Sequence, residues 1–355
     1  MQRREFLGAL AASSLAWGLP GCAGIDGGAG KAGATVMTVN GSIPAADMGM
    51  TLAHEHLFAD LRPYAEQMTS PLAVDRDEVV EVVLPYLREI QRQGCRTLVD
   101  CTATTLGRDP VLIRRLSQAS GLQMLTVTGA YVAAGGRFVP PYVQSETADQ
   151  LAQRWIAEWR DGIGDTGIRP GLIKLGIEGD LPSDTERKVL RAAADAQLET
   201  GLVIASHTGP WADVAPGRNG RCAFAQLDLL QGAGVDPSAW IWVHAQNEAQ
   251  GSQHVEAARR GAWVSFDGFR PGQEAAYLAM IGRMRDEGLL DRVLVSQDAG
   301  WYNAAQPRGG EFKPYLPLFT ALIPALREGG FDEAQIGKIF VDNPSHAFAV
   351  RKIRS

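Results

Sequence analysis

The sequence is poor in the residues that crosslink small domains, with only four cysteines and six histidines in 355 residues. Cys95 and Cys101 flank the stretch Arg96–Asp100, which reads as a strand. Because an extended residue rises about 3.3 Å, these thiols would lie far beyond the roughly 6 Å that a disulfide spans. No cysteine pair has zinc-finger spacing either. The sequence therefore implies neither a disulfide framework nor a zinc finger.

The chain also lacks a basic stripe. Its formal net charge is −6, and its lysines and arginines are scattered among acids, which argues against binding to nucleic acid. The composition, 45% hydrophobic and 21% charged, is that of an ordinary soluble globular enzyme with a substantial core. The partner that this composition favours is a small molecule.

The apolar run near the N-terminus, about a dozen residues, is too short to span ~30 Å of hydrocarbon. It follows Arg3 and Arg4, which resemble a twin-arginine export signal, and the stretch Leu19–Cys22 resembles a lipobox. We therefore predict an export signal over residues 1–22, a flexible tether over residues 23–34 and one folded domain over residues 35–355. Export would place the protein in the periplasm. If Cys22 is lipidated, the lipid would attach the protein to a membrane.

Short β-branched runs alternate with amphipathic stretches along the domain. The predicted strands are Met50–Ala53, Thr97–Asp100, Met124–Thr128, Leu172–Ile177, Leu202–Ser206, Trp240–Val243, Trp263–Phe266 and Val293–Ser296. The helices predicted to follow them are Asp77–Arg92, Pro110–Ser120, Glu146–Trp159, Asp184–Thr200, Ala223–Leu230, Ser252–Arg260, Glu274–Glu287 and a final helical region over Phe319–Val341. This α/β pattern predicts a single-domain (β/α)8 TIM barrel preceded by a short β segment. A doubly wound open sheet, the competing fold, would carry a glycine-rich loop where this chain has His54, Glu55 and His56.

His54 and His56 are two residues apart. Side chains alternate along an extended strand, so both imidazoles project to one face and Glu55 projects to the other. This spacing allows both imidazoles to coordinate one metal ion. A structural role for the two histidines is the alternative.

Three further polar residues end predicted strands, namely His207, His244 and Asp298. The C-terminal strand ends of a barrel meet at one rim, where the active sites of this fold are built. A lone histidine at a strand end is commonly a satisfied polar residue, but several at equivalent ends indicate a shared site. His254 and His346 fall on helical segments, and we assign them surface or structural roles.

Lys174 lies within the otherwise apolar strand Leu172–Ile177, where a cationic ammonium is costly to bury. Burial favours the neutral amine. A neutral amine can react with carbon dioxide to give a carbamate, an anionic two-oxygen group that suits the bridging of two divalent ions.

The order of these residues along successive strands, His54-x-His56, Lys174, His207, His244 and Asp298, resembles the phosphotriesterase family of the amidohydrolase superfamily. The resemblance runs from about Val39 to the C-terminus. The stretches that carry it are Asp47–His56, Gly171–Lys174, Ser206–Thr208, Ser296–Asp298 and Asp342–Pro344.

The resemblance implies a binuclear metal-dependent hydrolase. One divalent ion would be held by His54, His56 and Asp298. The second would be held by His207 and His244, with N6-carboxylated Lys174 and a hydroxide bridging the two. Zinc is the expected ion, and manganese, iron or cobalt accept the same ligand types. Asp298 and Lys174 are the predicted catalytic residues, with Asp298 accepting the proton of the nucleophile. A homodimer is usual for the family.

The ligand set does not identify the substrate, because loops after the strands carry specificity in this fold. Tyr131 sits where lactonase-like members of the family carry a tyrosine near the metals, which favours a lactone or a carboxylic ester. Simple packing of Tyr131 in its loop is the alternative. Those lactonases place an arginine directly after the aspartate that corresponds to Asp267, where this chain has Gly268. Arg270 is the predicted substitute in the pocket, and a solvent-facing loop position is its alternative.

The segment after the eighth predicted strand, residues 299–315, is rich in aromatic residues and glycine, as a pocket wall would be. Trp301 and Tyr302 are predicted substrate contacts, although exposed aromatics equally mark a dimer surface. Trp211, shortly after His207, is a further candidate.

Three functions compete. The favoured one is a binuclear hydrolase of a lactone or carboxylic ester, with phosphotriester hydrolysis as its alternative. A non-catalytic exported binding protein would be expected to have lost ligands, whereas all six ligand positions are filled here. A metal storage or transport site would not need a lysine buried among its histidines.

Overall fold

The computed structural model describes residues 33–209 and 217–351. The predicted export signal with Cys22, the predicted tether up to residue 32 and Trp211 lie outside the described residues. Within the described part of the chain, no helix has both the length and the apolar character needed to cross a membrane.

The strands of the described residues are β1 (Thr35–Thr38), β2 (Gly41–Pro44), β3 (Thr51–Ala59), β4 (Thr97–Asp100), β5 (Gln123–Leu125), β6 (Val127–Thr128), β7 (Leu172–Ile177), β8 (Ile204–Thr208), β9 (Trp240–Val243), β10 (Trp263–Phe266), β11 (Val293–Val295) and β12 (Gly300–Asn303). The α-helices are α1 (Tyr64–Thr69), α2 (Arg76–Arg92), α3 (Pro110–Ser120), α4 (Pro141–Ser145), α5 (Ala148–Asp161), α6 (Asp184–Thr200), α7 (Arg218–Gly232), α8 (Gly251–Arg259), α9 (Glu274–Asp286), α10 (Ile323–Glu328), α11 (Glu333–Gly337) and α12 (Asn343–Ala347).

Strands β3 to β11 form a parallel barrel in which β5 and β6 together make one barrel strand, interrupted at Thr126. Pairing runs in the order β11-β10-β9-β8-β7-β6 on one side and β12-β3-β4-β5 on the other. The antiparallel hairpin of β1 and β2 precedes the barrel. The structure thus confirms the predicted (β/α)8 barrel with its short N-terminal β segment.

The first barrel strand differs most from its predicted range. It runs from Thr51 to Ala59 rather than ending at Ala53, so that His54 and His56 lie inside it. Its added length is paired with β12, where Gly300 faces His56 and Tyr302 faces Phe58. The final predicted helical region is also divided, because α10 ends at Glu328 and Gly330 adopts a left-handed φ of 82° before α11.

Local sequence signals fix the ends of the helices that surround the barrel. Helix α6 begins with a capping box, in which the Ser183 hydroxyl accepts the Glu186 amide and the Glu186 carboxylate accepts the Ser183 amide. The same helix ends at Gly201, whose φ of 77° is the left-handed conformation that glycine adopts without strain. These signals explain why the predicted range of α6 matches the structure.

Apolar side chains fill the barrel in two layers. One cluster lies inside the barrel and includes Val99, Leu125, Leu172, Ala205 and Leu294. A larger cluster packs the outer faces of the strands against the helices. Burying one such aliphatic side chain stabilises the fold by about 1.5–3 kcal/mol. The packed interior leaves the C-terminal strand ends as the place where polar side chains gather.

Candidate metal centre

The four histidines predicted to share a site lie together and are buried, with His54 and His56 within β3, His207 near the end of β8 and His244 directly after β9. The ring centroid of His54 lies 5.4 Å from that of His56 and 5.2 Å from that of His244. The ring centroids of His207 and His244 lie 4.6 Å apart. Lys174 is buried with them, and its charge acts on both His54 and His207. The structure therefore brings these five predicted residues into one cluster.

The ring of His54 is oriented by Asp267. Its Nδ1 lies 3.2 Å from a carboxylate oxygen of Asp267, which is itself fully buried. Burial, followed by the charge of Lys174, lowers the pKa of His54 to about 4, so the imidazole is neutral at pH 7. Because an ionised carboxylate only accepts hydrogen bonds, the single ring proton belongs on Nδ1. The lone pair of Nε2 is left facing the cluster.

His56 and Asp298 meet on the other side of the cluster. The Nδ1 of His56 lies 2.8 Å from the Thr102 hydroxyl, and its Nε2 lies 3.0 Å from Asp298 Oδ1. The Nε2 of His54 lies 3.9 Å from the same oxygen. No donor of the described residues, His56 included, is aligned to hydrogen-bond to this buried Oδ1.

A buried carboxylate oxygen without a hydrogen-bond donor is costly. A divalent cation would satisfy Asp298 Oδ1 and the neighbouring imidazole nitrogens at once, since imidazole and carboxylate are ordinary ligands of such ions. The ligand atoms of His54, His56 and Asp298 all lie within 4.8 Å of one another. These residues therefore fit a divalent metal ion.

The backbone is strained at this site. Five described residues other than glycine have a positive φ, and three of them are His244 (64°), Asp298 (49°) and Trp301 (71°). Such left-handed conformations cost of order 1–3 kcal/mol each and cluster at functional sites. The strain is therefore concentrated around the histidines.

Tyr131 lies beside His207. Its hydroxyl oxygen is 3.4 Å from His207 Nε2, and the two rings make an edge contact with centroids 5.2 Å apart. Gly176 leaves room for this ring, because an added Cβ there would lie 2.4 Å from it. Burial raises the pKa of Tyr131, so the phenol keeps its proton. Burial, His244 and Lys174 lower the pKa of His207 well below its usual value.

Trp301 and Arg270 both reach the edge of the cluster. The indole of Trp301 stacks on His56 with ring centroids 3.6 Å apart, and its Nε1 donates to the backbone oxygen of Asp298. The guanidinium of Arg270 donates to the backbone oxygens of Gln297 and Asp298. Arg270 therefore lies at the loop that carries Asp298.

Tyr302 is not at the site, and we correct the prediction that it contacts the substrate. Its hydroxyl donates to Glu78 of α2, and its ring packs near Phe58 with centroids 6.0 Å apart. The reason is the alternation of side chains along β12, which turns Trp301 and Tyr302 to opposite faces. Tyr302 belongs to the packing between the barrel and α2.

Sequence reasoning missed Asp267 and Thr102 as partners of the histidines. Asp267 directly follows β10, at the same kind of strand end as His207 and His244, and that position was the available signal. No comparable signal marked Thr102. The helical His254 has a structural role, because its Nε2 lies 2.8 Å from the Ala245 oxygen.

A (β/α)8 barrel with imidazoles, a lysine and a carboxylate gathered in one buried cluster has the form of a TIM-barrel enzyme with its active site. The model of the Phosphotriesterase family matches residues 34–348, and the chain belongs to that family. It is therefore a hydrolase of the phosphotriesterase family.

Relatives of the chain are matched over most of their length. A phosphotriesterase homology protein of Escherichia coli is 29% identical over 306 residues, which cover 84% of this chain and 98% of that protein. An aryldialkylphosphatase of Saccharolobus solfataricus is 27% identical, with 87% and 97% covered. A crystal structure of a mutant PTE-like lactonase of Deinococcus radiodurans aligns with a TM-score of 0.76 and 31% identity, covering 88% of this chain and 100% of that one.

Proposed function

We propose that the protein hydrolyses a lactone or a carboxylic ester with the help of two divalent ions, for which zinc is the expected metal. The observation that carries this proposal is the buried Oδ1 of Asp298, which lacks a hydrogen-bond donor among the described residues and faces the Nε2 atoms of His54 and His56. This arrangement fits a cation far better than it fits packing.

In this proposal His54, His56 and Asp298 would hold one ion, and His207 and His244 would hold the other. Lys174, which is buried near His54 and His207, would serve both ions as its N6-carboxylate. When bound, divalent ions supply Lewis-acid activation of a water molecule and of the substrate oxygen. The contacts of Asp267 and Thr102 with Nδ1 atoms support this assignment, because outer hydrogen bonds of this kind orient metal-binding histidines.

Two side chains supply the remaining chemistry in this proposal. The Asp298 carboxylate accepts a proton of the attacking water as a general base and returns it to the leaving alkoxide when the acyl C–O bond breaks, so that the products are an acid and an alcohol. The Tyr131 hydroxyl remains protonated and donates a hydrogen bond to an oxygen of the substrate. The Trp301 ring, stacked on His56, forms an apolar wall beside the reacting bond.

The preference for a carbonyl ester rests on Tyr131 and on similarity to a PTE-like lactonase. Similarity to an aryldialkylphosphatase makes phosphotriester hydrolysis the alternative activity. Arg270 replaces the arginine expected at position 268 only in part, because its guanidinium is engaged by backbone oxygens next to Asp298. We therefore expect it to shape the pocket rather than to bind substrate charge.

The test is to measure the metal content of protein purified without added metal, together with hydrolysis of a γ-lactone, an aryl ester and an aryl phosphotriester. The variants are Lys174→Ala and, as a matched control, Lys188→Ala. Lys188 is a lysine on α6 whose ammonium binds only the backbone oxygens of Gln144 and Glu146 in the described residues.

We expect two metal ions per chain in the wild type and in Lys188→Ala, with fewer ions and a matching loss of turnover in Lys174→Ala. The ranking of the three substrates decides between ester and phosphotriester. Wild-type protein that neither binds metal after reconstitution with bicarbonate nor turns over any substrate would contradict the proposal and favour a non-catalytic binding protein.

A further inference from the structure

Glu55, between His54 and His56, is fully buried and has no assigned role in the proposed reaction. One of its carboxylate oxygens accepts hydrogen bonds from the Ser296 hydroxyl (2.7 Å) and the Gln297 amide (3.2 Å). The other oxygen accepts the Ala299 amide at 2.7 Å. A buried carboxylate is costly without such partners, and all three come from one loop.

This loop closes the barrel. Strand β11 pairs with β10, while the first residue of β12, Gly300, already pairs with β3. Residues 296–299 therefore cross between the two halves of the sheet. Two backbone hydrogen bonds join them to β3, from the Asp298 amide to the His54 oxygen (3.1 Å) and from the His56 amide to the Ala299 oxygen (2.9 Å). The Glu55 carboxylate adds three more hydrogen bonds at this seam.

Asp298 lies at the centre of the loop in a left-handed conformation, with φ of 49°. A non-glycine residue keeps such a conformation only where its surroundings determine it strongly. Glu55 holds the amides of Gln297 and Ala299, the two residues that flank Asp298. It therefore fixes the peptide group between Asp298 and Ala299 and the one that precedes Gln297, while the His54 oxygen holds the peptide group between Gln297 and Asp298.

Ser296 extends this control to the other side of the cluster. Its hydroxyl donates to Glu55 and accepts the backbone amide of His54 at 3.1 Å. The carboxylate of Glu55 is thus connected to the backbone at both His54 and Asp298, whose side chains face each other.

We propose that Glu55 is a positioning residue that sets the Asp298 carboxylate opposite the Nε2 atoms of His54 and His56, and so sets the affinity of this site for a divalent ion. The inference rests on the ligand role of Asp298 in the proposed function. Glu55 acts through hydrogen bonds to the loop and contacts neither substrate nor metal.

The test compares Glu55→Gln with a matched control, Glu186→Gln. The glutamine keeps the size of Glu55 but turns an NH2 group toward a donor of the loop. Glu186 is also a buried carboxylate that accepts three hydrogen bonds, from the Glu178 amide, the Ser183 amide and the Ser183 hydroxyl, and it caps α6. Both substitutions are expected to lower the free energy of unfolding, but only Glu55→Gln disturbs the loop that carries Asp298.

Zinc affinity is measured by competition with a chelator, and amide exchange of residues 296–300 is measured in metal-free protein. For Glu55→Gln we expect zinc binding to weaken by about 10- to 100-fold, exchange to accelerate and kcat to fall with little change in KM. Glu186→Gln keeps wild-type zinc affinity. Wild-type zinc affinity in Glu55→Gln, or an equal loss in Glu186→Gln, would overturn the inference.

If Glu55→Gln does not fold, Ser296→Ala decides, because it removes one donor and keeps the carboxylate. A smaller loss of zinc affinity is expected there, and no loss overturns the inference. Wild-type protein that binds zinc but hydrolyses none of the three substrates would contradict the proposed reaction and leave the positioning role standing. Wild-type protein without zinc affinity would overturn both.

Discussion

The Nδ1 atom of His244 lies 2.7 Å from Asp267 Oδ1, and this contact determines which ring nitrogen faces the centre of the site. Since the carboxylate accepts but does not donate, Nδ1 carries a proton, and Nε2 is the nitrogen that faces the centre. Asp267 makes the same kind of contact with His54 through its other oxygen. One buried carboxylate thus orients histidines of both proposed metal sites.

Replacing Asp267 by asparagine should weaken zinc binding by about 10- to 100-fold, because the amide group turns a donor toward one of the two Nδ1–H groups. The measurement is a competitive zinc titration of the metal-free protein. Asp236→Asn is the control, since Asp236 caps a turn before β9 and asparagine caps equally well. Unchanged zinc affinity in Asp267→Asn would show that the orientation of the rings is set elsewhere.

Thr102 should act on His56 in the same manner but more weakly, because it offers one neutral hydrogen bond. Thr102→Val, which keeps the shape of the side chain, is expected to weaken zinc binding by about tenfold or less. Thr102→Ser keeps the hydroxyl and should restore most of the affinity. If valine and serine give the same affinity, the hydroxyl has no part in orienting His56.

Neighbouring aromatics on β12 should have separate effects. Tyr302→Phe removes the hydrogen bond to Glu78 and is expected to cost about 1 kcal/mol of unfolding free energy without changing kcat/KM. Trp301→Phe removes the indole hydrogen bond to the Asp298 oxygen and the full stack on His56, so kcat/KM should fall. Denaturant unfolding and steady-state kinetics distinguish the two. A fall in kcat/KM for Tyr302→Phe would place that side chain back at the pocket.

The barrel and the cluster of histidines were predictable because parallel strands place their C-terminal residues at one rim. His207 and His244 end apolar runs, and their meeting follows from the fold once the order of strands is known. The alternation of His54, Glu55 and His56 similarly follows from the period of a strand. The shared-site prediction used no information beyond these regularities.

The remaining details depend on contacts between distant parts of the chain. The Asp267 carboxylate contacts the Nδ1 atoms of both His54 and His244. The position of an aspartate at a strand end does not indicate which histidines its carboxylate will contact. Tyr302 was placed wrongly because its orientation depends on β12, a strand that exists through its pairing with the extended end of β3. Export, lipidation of Cys22 and a homodimer stay predictions.

Tyr131 offers the sharpest separation of packing from catalysis. Its ring contacts Phe138 and His207, and its hydroxyl lies 3.4 Å from His207 Nε2. Tyr131→Phe keeps the ring contacts and removes only the hydroxyl. If the phenol donates to the substrate in the rate-limiting step, kcat/KM for the lactone should fall by about tenfold, which corresponds to ~1.4 kcal/mol, a typical contribution of one hydrogen bond. Zinc content should stay unchanged, and Tyr142→Phe, a half-buried tyrosine that packs under Arg154, should behave as wild type. An unchanged kcat/KM in Tyr131→Phe with all three substrates would mean that this side chain only packs in its loop. The proposal that the substrate is a lactone would then lose its main structural argument.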